Sequence, residues 1–136
     1  MTAQKPFILL ADDDEDDHYS LQYAFAEVGY RQGLTFVYSG REVIDLLQQL
    51  LPEELPTLIV LDINIPGMDG IDILRYVKSE LNYRHIPVVL YSTTLPDAIC
   101  QKLVSLGAHS CYVKPTKTSE LMMLVLKFRD MACSAA

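Results

Sequence analysis

Phe7-Ile8-Leu9-Leu10-Ala11-Asp12-Asp13 is the stretch on which the fold turns. Five apolar residues run without a break into two carboxylates. A strand with one face in water alternates apolar and polar side chains, whereas a strand covered on both faces does not. An unbroken apolar run of this length, closed by charge, reads as a doubly buried strand. Four more candidate strands follow, at residues 34–38, 58–61, 86–91 and 110–113.

The segments between them carry helical spacing. Leu21, Ala24, Phe25 and Val28 mark a helix over 19–28, and Val43, Ile44, Leu46, Leu47 and Leu50 one over 41–51. Ile71, Leu74, Val77 and Leu81 mark 71–81, and Ala98, Ile99, Leu103 and Leu106 mark 97–106. Leu121, Leu124, Val125 and Phe128 share one face of a last helix over 119–131. Gly29 and Gly33 bracket the first reversal, Pro52 and Pro56 close the second helix, and Pro66-Gly67 and Gly70 mark a tight loop. Thr118-Ser119-Glu120 reads as a helix start, and Asp97 as a first-turn acid after Pro96. The pattern predicts an α/β fold, (βα)5, a doubly wound parallel sheet of five strands with right-handed crossovers and helices on both faces.

In such sheets chemistry sits at the carboxyl ends of the strands. There the first strand runs into Asp12-Asp13, the third into Asp62, the fourth into Ser92-Thr93-Thr94 and the fifth into Lys114-Pro115. With the first and third strands adjacent, three carboxylates converge and need compensation. Lys114 supplies one positive charge. Magnesium, a hard ion that takes carboxylates, waters and phosphate oxygens, is the natural second. Carboxylates, one Lys and one hydroxyl together suit phosphoryl transfer, where positioning and charge neutralisation do the work.

Composition narrows the function classes. The 136 residues carry 11 basic and 18 acidic side chains, a formal charge of −7. That balance argues against nucleic acid and against an anionic membrane as direct partners. Six of the 18 acids form one run from Asp12 to Asp17, so the remainder is near neutrality. Asp14, Glu15, Asp16 and Asp17 are expected to open the first helix, where carboxylates suit free N–H groups and the dipole. Cys100, Cys111 and Cys133 are odd in number without C-x-x-C spacing, which predicts free thiols in a reducing cytosol. No signal-peptide core or membrane-length apolar stretch is present, so a cytoplasmic protein is expected. His18, His85 and His109 lack metal spacing, with an electrostatic role open for His18 alone. Met122 and Met123 read as core and surface filler.

The segments 8–14 and 61–70, with Ser92 and Lys114-Pro115, resemble the receiver domain of two-component response regulators in order and in spacing. The resemblance implies the flavodoxin-like strand order 2-1-3-4-5. It implies that Asp62 takes a phosphoryl group from a phosphohistidine, and that magnesium is held by Asp12, Asp13, Asp62 and the backbone carbonyl of Asn64. Ser92 and Lys114 would each bind a phosphoryl oxygen, and the Lys114–Pro115 bond would be cis. Partners would be a histidine kinase or phosphotransfer protein docking near the first helix, with the last two helices as the switch surface. Dimerisation through those helices is common in that family and stays open here. One receiver is expected over 1–136, with its core at about 6–131 and no effector domain. It would act by protein contact or phosphorelay rather than as a turnover enzyme.

Two positions depart from the pattern. Cys111 stands three before Lys114, where receivers carry an aromatic switch residue; Tyr112 follows it and should face the other side of the sheet. Thr116 replaces a frequent Phe, and Asn64 and Thr94 hold positions that tune phosphoryl lifetime in the family. Two rival functions make different demands on these residues. A pseudo-receiver that never takes phosphate would lack an acidic-pair member, Asp62 or Lys114, and all are present. A haloacid-dehalogenase-type phosphohydrolase wants a second Asp two residues after the nucleophile, where Asn64 stands.

Overall fold

The computed structural model describes residues 5–65 and 68–136, so the expected Pro66-Gly67 turn lies outside the described residues. The elements run β1 (Ile8–Ala11), α1 (Glu15–Glu27), β2 (Leu34–Val37), α2 (Gly40–Gln49), a short 3-10 turn (Pro52–Glu54), β3 (Leu58–Leu61), α3 (Gly70–Ser79), β4 (Val88–Ser92), α4 (Asp97–Ser105), β5 (Ser110–Val113) and α5 (Thr118–Ala135). All strand pairs are parallel, in the order β2-β1-β3-β4-β5. The expected (βα)5 architecture and strand order are both present.

The apolar runs are unbroken because each strand feeds two cores. Leu9, Ala11, Ile59, Leu61, Val88 and Leu90 pack with Val43 and Leu47 of α2, Ile73, Leu74 and Val77 of α3 and Leu103 of α4. Their neighbours in sequence, Ile8, Leu10, Leu58, Val60, Val89 and Tyr91, face Leu21, Ala24 and Phe25 of α1 and Leu124, Val125 and Phe128 of α5. Cys111 lies on the first side and Tyr112 on the second, as expected for adjacent strand residues. Tyr112 meets Phe128 edge-on at 5.5 Å.

Two expectations are corrected. Cys100 of α4 and Cys111 of β5 form a disulfide rather than free thiols, with Cα atoms 6.1 Å apart; Cys133 is free and exposed. Spacing concealed the pair because α4 folds back along β5 and closes an 11-residue separation. No peptide bond is cis among the described residues, so Lys114–Pro115 is trans, the isomer that X–Pro bonds prefer. The expected helix start at Thr118-Ser119-Glu120 is present: α5 begins at Thr118, and its N-cap, Lys117, makes no side-chain capping bond.

Candidate phosphoryl-transfer site

Register builds the site. Ala11 pairs with Leu61, so Asp12 and Asp62 emerge side by side one residue later, joined by the Asp62 N–H donating to the Ala11 carbonyl at 2.9 Å. Ser92 ends β4 opposite Val113, and the N–H of Lys114 donates to the Ser92 carbonyl at 2.8 Å. Asp12, Asp62 and Ser92 are buried, while Asp13 and Asn64 are exposed.

Local geometry then fixes each carboxylate. Asp12 Oδ1 accepts from the Asp14 N–H at 2.9 Å, and Asp14 accepts from Asp16 N–H as the N-cap of α1. The cap is what lets a chain leaving a buried strand turn at once into a helix. Asp62 Oδ1 accepts from the Asn64 N–H at 3.0 Å, which binds the loop after β3 to the carboxylate. Gly70, the first residue of α3, lies close beneath: a Cβ there would stand 2.9 Å from the Asp62 carbonyl oxygen and from the Ile63 Cα. Gly70 therefore admits a close approach of helix to site backbone, more than the loop geometry expected of it.

Lys114 sits at the centre. Its Nζ donates to Asp12 Oδ2 at 2.7 Å, Asp17 Oδ2 at 2.6 Å and Asp62 Oδ2 at 2.8 Å. Burial works against its charge, but the three carboxylates outweigh burial and hold its pKa well above the ordinary lysine value. Burial likewise pushes Asp12 up to about 6, against the pull of Lys114. Lys114 also lies 5.5 Å from the centre of the buried Tyr91 ring.

Asp12, Asp13 and Asp62 each offer an oxygen within 4.8 Å of the others, a set that could hold a metal ion. All three donors are hard oxygens, which suits magnesium or manganese better than zinc or copper. The sequence residues Asp12, Asp13, Asp62, Asn64, Ser92 and Lys114 are thus gathered at one end of the sheet. Asp17 is the member that sequence reasoning missed, having been counted with the helix-opening acids. A signal existed: Asp17 is in phase with the buried stripe Leu21 and Ala24, whereas Asp16 is exposed. His18 is buried between the Phe36 and Tyr38 rings at 4.8 and 4.5 Å, and neither ring nitrogen has a hydrogen-bond partner.

Comparison with known proteins agrees with this geometry. A family model described as the response regulator receiver domain matches residues 8–126. Sporulation initiation phosphotransferase F of Bacillus subtilis (strain 168) is 34% identical over 116 residues, covering 83% of this chain and 88% of that protein. The crystal structure of the phosphorylated cyanobacterial phytochrome response regulator RcpA has a TM-score of 0.83 and 28% identity, covering 96% of each chain. The Mn(2+)-bound form of response regulator Rcp1 has a TM-score of 0.79 and 25% identity, covering 91% of each chain.

Proposed function

The chain belongs to the response regulator receiver family, and from that premise we propose that Asp62 accepts a phosphoryl group from a histidine kinase or histidine phosphotransfer protein. The observation that carries the reading is the Lys114 ammonium 2.8 Å from Asp62, with Asp12 and Asp13 beside it. An Asp62 carboxylate oxygen attacks phosphorus, a P–O bond forms, and the P–N bond to the donor imidazole breaks, leaving the electron pair on nitrogen. Asn64 N–H and Lys114 hold the attacking carboxylate in one orientation. The Ser92 hydroxyl donates to one phosphoryl oxygen and Lys114 pairs with another. Asp12, Asp13, Asp62 and the Asn64 carbonyl would hold magnesium, which supplies charge neutralisation for the incoming group. That the neighbour Rcp1 has a Mn(2+)-bound form supports divalent-cation binding by this chain.

The chain then acts as a single receiver that signals by protein contact or by passing the group onward, not as a turnover enzyme. Donor docking is assigned to α1 and the loops above the site, and the switch surface to α4 and α5. Among the described residues no helix is long and apolar enough to cross a membrane.

Incubation with magnesium and acetyl phosphate, followed by intact mass, tests this. Wild type is expected to gain one phosphoryl group and Asp62→Asn none. A wild-type chain left unmodified by the donor and by several kinases would mark a pseudo-receiver interaction module instead.

A further inference from the structure

We propose that Asp17 is a positioning residue of this site, the acceptor that holds the Lys114 ammonium in place while its other two partners change. The inference rests on the phosphoryl-acceptor reading and goes beyond it.

An ammonium has three N–H donors and no acceptor. Here all three are used, on Asp12, Asp17 and Asp62, so the group has a fixed orientation. Two of the acceptors carry a second duty. Asp12 accepts from the Asp14 N–H and is one of the three carboxylates suited to a metal. Asp62 is the phosphoacceptor, and once modified it offers Lys114 a phosphoryl oxygen instead. Asp17 belongs to neither the metal set nor the acceptor.

Asp17 is also well anchored for a holding role. It precedes His18, buried against Phe36 and Tyr38, and lies one turn before Leu21, 2% exposed. Its grip on Lys114 spans 97 residues of sequence and ties α1 to the end of β5. Through phosphorylation the Lys114–Asp17 bond stays while the Lys114–Asp62 bond passes to a phosphoryl oxygen. Without Asp17, the ammonium loses one of three fixed contacts just where its aim matters, and small misplacements at such centres cost rate steeply.

Asp17→Ala and Asp16→Ala form the test, because each removes one carboxylate from the first turn of α1 but only Asp17 touches Lys114. Acetyl phosphate with magnesium, read by intact mass, gives the phosphorylation rate; isothermal titration with trifluoroberyllate gives affinity for a phosphoryl mimic. Asp17→Ala is expected to lower both by about tenfold, and Asp16→Ala by less than about twofold. In a Lys114→Ala background, Asp17→Ala should then have no further effect on mimic affinity, whereas a merely structural defect would persist. If wild type is phosphorylated and Asp17→Ala behaves like Asp16→Ala, this inference is overturned and the phosphoacceptor assignment stands. If wild type is not phosphorylated, that assignment falls, and urea unfolding of the metal-free proteins decides the anchor. Coupling between Asp17→Ala and Lys114→Ala of about tenfold or more in the unfolding equilibrium supports it, and additivity overturns it.

Discussion

His18 stands near the carboxylates of Asp14, Glu15 and Asp17 yet serves the core. It is 4% exposed, and burial lowers its pKa from the ordinary 6.5 despite Asp17, Asp14 and Glu15 nearby. The unfolded chain therefore binds the imidazole proton more readily, so this residue's contribution to stability is lost as pH falls below about 6.5. Asp12 has the opposite sign: raised to about 6, it binds more protons folded than unfolded, and its contribution falls as pH rises from about 4 to about 6. In metal-free protein, urea unfolding of wild type and His18→Phe at pH 5.5 and 7.5 separates the two. The variant is expected to lose less stability on acidification than wild type, since Phe keeps the ring packing and cannot charge. Parallel pH profiles would remove His18 as a source. Residues such as Asp12, Asp62, Ser92 and Lys114 were legible because each directly ends or follows an apolar run. Asp17 was hidden among like neighbours, and its role depends on helix phase, which only the Asp14 cap fixes.

Among the elements, unbroken runs were the clearest signal, and β3 and β5 lie where the sequence reading put them. The starts of α2 to α5 lie within one residue of the sequence reading, and α1 opens with the acids expected to start it. α1 begins at Glu15, four residues before the apolar pattern does, because charged residues fill its first turn and capping rather than periodicity marks its start. The crossing of α4 over β5 was invisible to spacing, and with it the Cys100–Cys111 bond. This bond fastens α4 to the strand that leads into Lys114. A disulfide closing so short a loop stabilises by about 2–3 kcal/mol, chiefly by restricting the unfolded chain. Reduction with a phosphine should lower the unfolding free energy of wild type by that amount and leave a Cys100→Ser/Cys111→Ser variant unchanged. Equal urea midpoints for oxidised and reduced wild type would show that the bond contributes nothing to folding.

At the scale of the molecule, most of the −7 formal charge is one concentration at the carboxyl edge of the sheet rather than a general acidity. The fold draws Asp12, Asp17 and Asp62 onto a single ammonium and leaves Asp13 exposed beside them. Like charges so close favour any divalent cation that binds the folded chain alone. By mass action, magnesium at about a hundred times its dissociation constant adds about 2.7 kcal/mol, which in a domain of this size raises Tm by roughly 5–10 °C. Scanning calorimetry with excess EDTA against saturating magnesium measures it. Asp13→Ala should abolish most of the rise, since Asp13 is one of the three carboxylates that could hold the ion and is not among the ion-pair partners of Lys114. Lys114→Met should lower Tm without metal, by leaving buried carboxylates uncompensated, and enlarge the magnesium-induced rise. A Lys114→Met variant with an unchanged metal response would mean that the lysine and the ion act independently, and that the charge concentrated at this edge is balanced elsewhere in the fold.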